Sequence, residues 1–162
     1  MSAVLKPIQA SLRPMSMDDL DAIMRIEPTI YSHPWTRGNF SDSLNSGYSA
    51  WVLYDSASNQ GEIIGYALMM MVIDEAHLLN ISVAKGHQKQ GFGKLLLNHM
   101  MDKARAYGAA NMFLEVRVSN ASAISLYEAI GFNEMAIRRA YYPTSSPERN
   151  DREDAVLMGL AL

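Results

Sequence analysis

The sequence predicts an α/β domain, a single mixed sheet of about seven strands with helices on both faces. Three observations carry that expectation. Two early apolar runs, over residues 48–54 and 62–73, are joined through Ser58-Asn-Gln-Gly61 and read as a hairpin. After Gly91 and Gly93 the hydrophobic period switches to that of a helix, so a strand feeds a turn and then a helix. A further strand over residues 112–118 completes a crossover, the connection that joins parallel neighbours.

Residues 9–13 form the first expected strand. Ser16-Met-Asp-Asp19 then reads as a helix start, a serine cap with acids in the first turn, and Leu20, Ile23, Met24 and Ile26 continue it as an apolar stripe. Residues 28–35, opening on Pro28, interrupt it; Thr36 caps a short second helix that ends near Ser46-Gly47. The hairpin follows, and then a fourth strand over residues 76–83. Leu96, Met100, Ala104 and Tyr107, with Leu97 and Met101 beside them, set a helical stripe that runs to Gly108. Beyond the crossover strand, residues 120–130 form a helix closed by Gly131, and strands over 132–140 and 154–160 complete the sheet. No internal repeat is present.

A chain of 162 residues fits one domain over residues 1–162, with residues 1–9 expected as a flexible start. Apolar residues at 49% and charged residues at 19% leave no disordered block. A net charge of -3 argues against a dedicated nucleic-acid binder but suits a basic peptide or an amine. The absence of cysteine excludes disulfides, thiolate metal sites and a catalytic thiol, and fits a cytoplasmic chain. The longest apolar stretch, residues 67–73, is too short to span a bilayer, so no membrane partner is expected. Twelve methionines, three of them at Met69, Met70 and Met71, read as core filler, and no metal is expected.

The chemistry concentrates in three places. Glycines at 91 and 93 allow close approach of a ligand, and the helix that opens there offers unpaired amides and its positive end to a phosphate. Lys85, His87, Lys89 and Lys94 add positive charge, although a plain strand-to-helix turn reads equally well. Leu95 after Gly93-Lys94 excludes a P-loop, and Leu96 breaks the dinucleotide glycine pattern. On the strand Phe113-Leu-Glu-Val-Arg-Val118, alternation places Phe113, Glu115 and Arg117 on one face. Glu115 is then either a salt-bridge partner, with Arg117 the candidate, or a general base in a cleft. Tyr127 shares a helix face with Ile124 and Ile130, and Asn120 stands where a helix cap belongs. His33, His77, His87 and His99 show no metal-ligand spacing; His87 alone stands near the phosphate turn.

Together, Gln88-x-x-Gly91-x-Gly93, Leu114-Glu-Val-Arg117 and Asn120-x-x-Ala-Ile-x-Leu-Tyr127-x-x-x-Gly131-Phe132 resemble the GCN5-related N-acetyltransferase (GNAT) superfamily. Asp74-Glu-Ala, Asn80-Ile-Ser-Val83, Arg138-Arg-x-Tyr-Tyr-Pro143 and Arg152-Glu-Asp-Ala155 are similar to its RimI group, which acetylates the N-terminal alanine of a small-subunit ribosomal protein, the eighteenth. The resemblance runs from about Leu12 onward. It implies a mostly antiparallel sheet in which acetyl-CoA lies between splayed fourth and fifth strands. Ile81, Ser82 and Val83 would bond the pantetheine, and Gln88, Lys89, Gln90, Gly91, Phe92, Gly93 and Lys94 the pyrophosphate. Asn120 would hold the thiol arm, Glu115 would act as base, and Tyr127 would meet the cofactor as acid.

The resemblance further implies that Tyr141 and Tyr142 wall the peptide entrance. Asp74, Glu75 and Glu27 are candidates for an acidic groove, each otherwise a solvated charge. The link over residues 144–151 looks several residues longer than in the RimI group. The expected enzyme is a cytoplasmic monomer whose partner is the N-terminal segment of a ribosomal protein. Acetylation of lysine or of a small amine, or an acetyl-CoA-binding module without turnover, are the alternatives.

Overall fold

A computed structural model describes residues 7–144 and 152–162. Residues 1–6 of the expected flexible start and residues 145–151 of the long link lie outside the described residues. The strands are β1 (Ala10–Pro14), β2 (Ser49–Asp55), β3 (Ile63–Val72), β4 (Glu75–Val83), β5 (Asn111–Arg117), β6 (Asn133–Pro143) and β7 (Arg152–Ala161). The helices are α1 (Leu20–Ile30), α2 (Arg37–Asn45), α3 (Phe92–Ala106) and α4 (Ala121–Ile130), with 3-10 turns at Met17–Asp19 and Lys85–His87. The sheet runs in the order β1-β2-β3-β4-β5-β7-β6. It is mixed, as expected: β4 and β5 are parallel, whereas β1/β2, β5/β7 and β6/β7 are antiparallel.

Two compact units make up the chain. One holds the described residues through Leu68 with Ile81–Leu96, the other Met69–Asn80 with the described residues from Leu97 onward. In the first, Met15, Leu20, Ile23, Phe40, Ala50, Val52, Tyr66 and Leu68 form a buried cluster against which Trp35 and Leu44 pack. Ser16 starts the first helical segment as expected, and its N–H donates to Asp19 Oδ2 at 2.8 Å. Thr36 and Asn39 cap α2 reciprocally, each backbone N–H meeting the other's side-chain oxygen at 2.9 and 3.1 Å.

Helix α1 departs from the expected break at residue 28 by running through Pro28 to Ile30. A proline this near a helix end removes one hydrogen bond from the last turn only, and Tyr31 N–H still closes that turn on Glu27 O at 3.2 Å. Carrying the helix through 27 extends the spacing Leu20, Ile23, Glu27 onto the buried face, and Glu27 is only 1% exposed. Glu27 is therefore neither a solvated charge nor part of an open groove.

Helix α3 buries Leu96, Leu97, Met100, Met101 and Ala104, the stripe that its spacing predicts. Tyr107 is the exception at 54% exposure, because the helix stops at Ala106 and Gly108, with φ +88, turns the chain away. In the second unit β5 alternates as expected: Met112, Leu114 and Val116 are buried, while Phe113, Glu115 and Arg117 are half-buried. The β4/β5 ladder pairs Glu75 with Asn111 through Leu78 with Leu114 and ends there, although β5 continues to Arg117.

Candidate active site

In the first unit, β4 ends in Ile81, Ser82 and Val83 and leads through the Lys85–His87 turn to α3. Ser82 is buried. The Gln88 side-chain amide donates to Val83 O at 2.9 Å, and that of Gln90 reaches Gly86 O at 3.4 Å. Lys89 and Gly91 both adopt left-handed backbone, φ +62 and +87, a geometry that helps gather successive amides into an anion-binding concavity. Helix α3 begins at Phe92, so Gly93 belongs to its first turn and, of the two glycines, Gly91 carries the left-handed backbone. Lys85, Lys89 and Lys94 are exposed around it. His87 Nδ1 is buried without a protein partner, beside the Phe92 ring at a centroid distance of 6.4 Å.

A buried polar cluster that sequence reasoning missed lies against the end of β4. Tyr66 Oη donates to Glu27 Oε2, and Trp35 N–H donates to Glu27 Oε1 at 3.1 Å. Tyr31 Oη donates to Ile81 O at 2.9 Å and stands 2.9 Å from Ser82 Oγ. Burial, reinforced by the Glu27 charge, pushes the Tyr31 phenol up to about 12; burial and the hydrogen bond to Glu27 drive that of Tyr66 higher still. Both phenols are therefore protonated donors at neutral pH. The usable signal was the placement of Glu27 four residues beyond Ile23; nothing local marks Tyr31.

In the second unit Glu115 is half-buried, with its side chain 24% exposed, and Arg138 Nε lies 3.3 Å from its Oε1. The expected pairing with Arg117 does not form. Residues two apart on a strand stand nearly 7 Å apart, roughly, so a short reach between them is poor. Arg117 turns instead to Pro143 O at 2.8 Å and Glu153 Oε2 at 3.4 Å, with its guanidinium 4.5 Å from the Tyr142 ring centre. Arg138 reaches Glu115 from β6, two strands away in the sheet, and lies over the Tyr141 ring at 5.3 Å. The two tyrosines meet edge to face at 4.9 Å. The Glu115 charge holds the Tyr141 phenol above its ordinary value; burial, with Glu115 adding to it, pushes Tyr142 up to about 12.

Helix α4 carries the remaining predicted residues. Asn120 acts as its cap, with Oδ1 accepting from Ala123 N–H at 3.3 Å. Gly131, φ +122, closes the helix as expected. Tyr127 is buried, with its ring 5.8 Å from that of Phe132. Among the described residues no group of three or more His, Asp or Glu gathers as for a metal ion, and no helix is long and apolar enough to cross a membrane.

Residues 20–132 match the model of the Acetyltransferase (GNAT) family. The chain belongs to that family. This acetyltransferase is 41% identical over 144 residues to the [ribosomal protein bS18]-alanine N-acetyltransferase of Escherichia coli (strain K12), covering 89% of this chain and 92% of the relative. The crystal structure of the ribosomal-protein-S18-alanine N-acetyltransferase from Escherichia coli matches it with a TM-score of 0.83 at 38% identity, over 94% of both chains. NAA60 of Arabidopsis thaliana, solved with a bisubstrate analogue, gives a TM-score of 0.84 over 94% of this acetyltransferase and 98% of that chain; at 20% identity it speaks for the fold alone.

Proposed function

We propose that the protein is an N-α-acetyltransferase that moves the acetyl group of acetyl-CoA to the N-terminal alanine of a small-subunit ribosomal protein, the eighteenth. The observation that carries this is the 41% identity, over nearly the whole of both chains, to a relative that bears that activity in its name. The family match spans both compact units, which supports reading them as one acetyltransferase domain. A ribosomal substrate would place the enzyme in the cytoplasm, where we take it to act as a monomer without contacting nucleic acid.

The phosphate turn fits the cofactor. Left-handed Lys89 and Gly91, the opening amides of α3 and three exposed lysines favour a pyrophosphate, and His87 Nδ1 adds a buried polar atom without a protein partner. Gln88, Lys89, Gln90, Gly91, Phe92, Gly93 and Lys94 would hold it, Ile81, Ser82 and Val83 the pantetheine, and Asn120 and Tyr127 the thiol end. Bound acetyl-CoA supplies the activated thioester. An α-ammonium of unperturbed pKa about 8 is no nucleophile until it loses a proton. Glu115 accepts that proton, directly or through water; its half-open carboxylate is available to do so. The free amine would attack the acetyl carbon as the carbon–sulfur bond breaks; backbone N–H near Val83 would stabilise the charge that develops on the carbonyl oxygen, and Tyr127 would give its proton to the leaving thiolate. Tyr141 and Tyr142 would line the peptide path.

Mass spectrometry of two matched peptides tests the reading, one with a free Ala-Arg start and one with a blocked α-amine but free lysines. One added acetyl on the first peptide alone is expected. Acetylation of the blocked peptide would move the function to lysine. Acetyl-CoA binding with no product would leave small amines or a module without turnover.

A further inference from the structure

Glu115 meets an arginine from the far side of the sheet. On β7, Ala155 pairs with Arg117 of β5 on one side and Arg138 of β6 on the other, and Leu157 likewise pairs with Glu115 and Ala136. Directly opposed residues share a face, so Glu115, Arg117 and Arg138 stand on one face, with β5 and β6 about 10 Å apart across β7. Between the two arginines stands Ala155, whose methyl lets a long side chain pass over the strand, and Arg138 Nε lies 3.3 Å from Glu115 Oε1. The arginines of this face are held differently. Arg117 has its side chain 23% exposed and is fixed by Pro143 O at 2.8 Å, Glu153 Oε2 at 3.4 Å and the Tyr142 ring at 4.5 Å. The Arg138 side chain is 54% exposed and, besides Glu115, rests on the Tyr141 ring at 5.3 Å. Leaving Glu115 therefore costs Arg138 little, since an exposed ion pair is worth a factor of about five or less. When Arg138 leaves, Glu115 keeps the Tyr141 hydroxyl as a donor.

We propose that Arg138 is a specificity-determining residue that guards Glu115: it occupies the carboxylate until the α-ammonium of a peptide displaces it. The proposal rests on the reading of Glu115 as general base and adds the cation that stands there beforehand. One cation replaces another at the same oxygen atoms, so the exchange leaves no charge unpaired in a half-buried site. A neutral N-terminus has nothing to offer in that exchange and leaves Arg138 seated. Acetylation turns the ammonium into an uncharged amide, so the product loses its hold on Glu115, and Arg138 returns once the carboxyl has given its proton to solvent.

Titration calorimetry of the full chain saturated with CoA, which has no acetyl group to transfer, tests this. Two peptides of one sequence are compared, one with a free Ala-Arg start and one with that α-amine acetylated. In Arg138→Gln the free peptide should bind about two- to fivefold more tightly and the acetylated peptide as in wild type, and steady-state kinetics should place the gain in KM rather than in kcat. Arg138→Lys keeps a cation at the end of the side chain and should stay close to wild type. In a Glu115→Gln background the gain from Arg138→Gln should vanish, because no carboxylate remains to contest. Unchanged or weaker binding of the free peptide to Arg138→Gln, equal tightening of both peptides, or a gain that survives Glu115→Gln would overturn the proposal. Transfer and binding are read separately: a wild-type protein that acetylates neither peptide overturns the functional reading, whereas the affinities across the variants decide the exchange.

Discussion

Glu27 and Glu115 are both carboxylates set among apolar neighbours, and the two units treat them in opposite ways. Glu27 is sealed at 1% exposure and receives Tyr66 Oη and Trp35 N–H, groups that do not leave. Glu115 sits half-open, and its partner Arg138 lies on an exposed strand. A sealed carboxylate is costly unless its hydrogen bonds are met, and once they are met it fixes geometry. An open one can exchange partners with a substrate at little cost. The first suits a part of the fold that must not move; the second is the arrangement that the proposed role of Glu115 as general base requires.

The largest test of this contrast is Glu115→Gln, which should lower turnover by about a hundredfold to ten-thousandfold in steady-state kinetics and leave the melting temperature nearly unchanged. Tyr127→Phe should fall in the same range, chiefly in kcat, as steady-state kinetics would show. Wild-type rates in both variants would break the proposed mechanism. Glu27→Ala should act the other way round, costing roughly 3–5 kcal/mol in denaturant unfolding because it strands two buried donors. Gly65→Ala comes next, at about 1–3 kcal/mol, since its Cβ would meet the Ser82 carbonyl at 2.8 Å and backbone cannot swing aside.

A smaller effect is expected from the Arg13–Asp19 pair in the first unit, 2.7 Å apart. Burial pushes the Asp19 carboxyl up, but hydrogen bonds from Arg13 and Ser16 and the arginine charge outweigh it and hold the carboxyl below its ordinary value. A depressed carboxyl stabilises the fold above its unfolded pKa of about 4, and that contribution disappears as pH falls through the lower folded value. Asp19→Asn should therefore be less stable than wild type by about 1–2 kcal/mol near neutrality, with the gap closing below pH ~4. Smallest of all, Arg138→Gln should change stability by less than about 1 kcal/mol, because its ion pair is solvent-screened.

The sequence made the regular parts legible because their causes are local. The α3 stripe, the reciprocal Thr36 cap, the Gly131 stop and the alternation of β5 all arise from neighbours within a few residues. Glu27 was not legible and read as a groove or solvated charge: a carboxylate reads as surface, whatever its spacing from Ile23, until Tyr66, thirty-nine positions away, supplies its partner. Arg138 and Tyr31 were hidden for the same reason. Their partners are Glu115 and Ile81, which only the folded sheet brings within reach. Tyr107 misled because its spacing continued a helix that Gly108 had already ended.

Strand β6 closes one side of the sheet with every residue but Tyr142 exposed, including Met135 and Ile137. A flat apolar border of that kind would recruit a second chain and seed aggregates. Here the border is irregular: between Arg138 and Tyr142 it takes four steps while β7 takes two, and Ala140 turns to φ +51 with its N–H committed to Asp154 Oδ1 at 2.8 Å. The same irregular stretch that carries Arg138 and the tyrosines thus also spoils the template for edge-to-edge stacking. Trimming it to a regular ladder would give the sheet an open border prone to self-assembly.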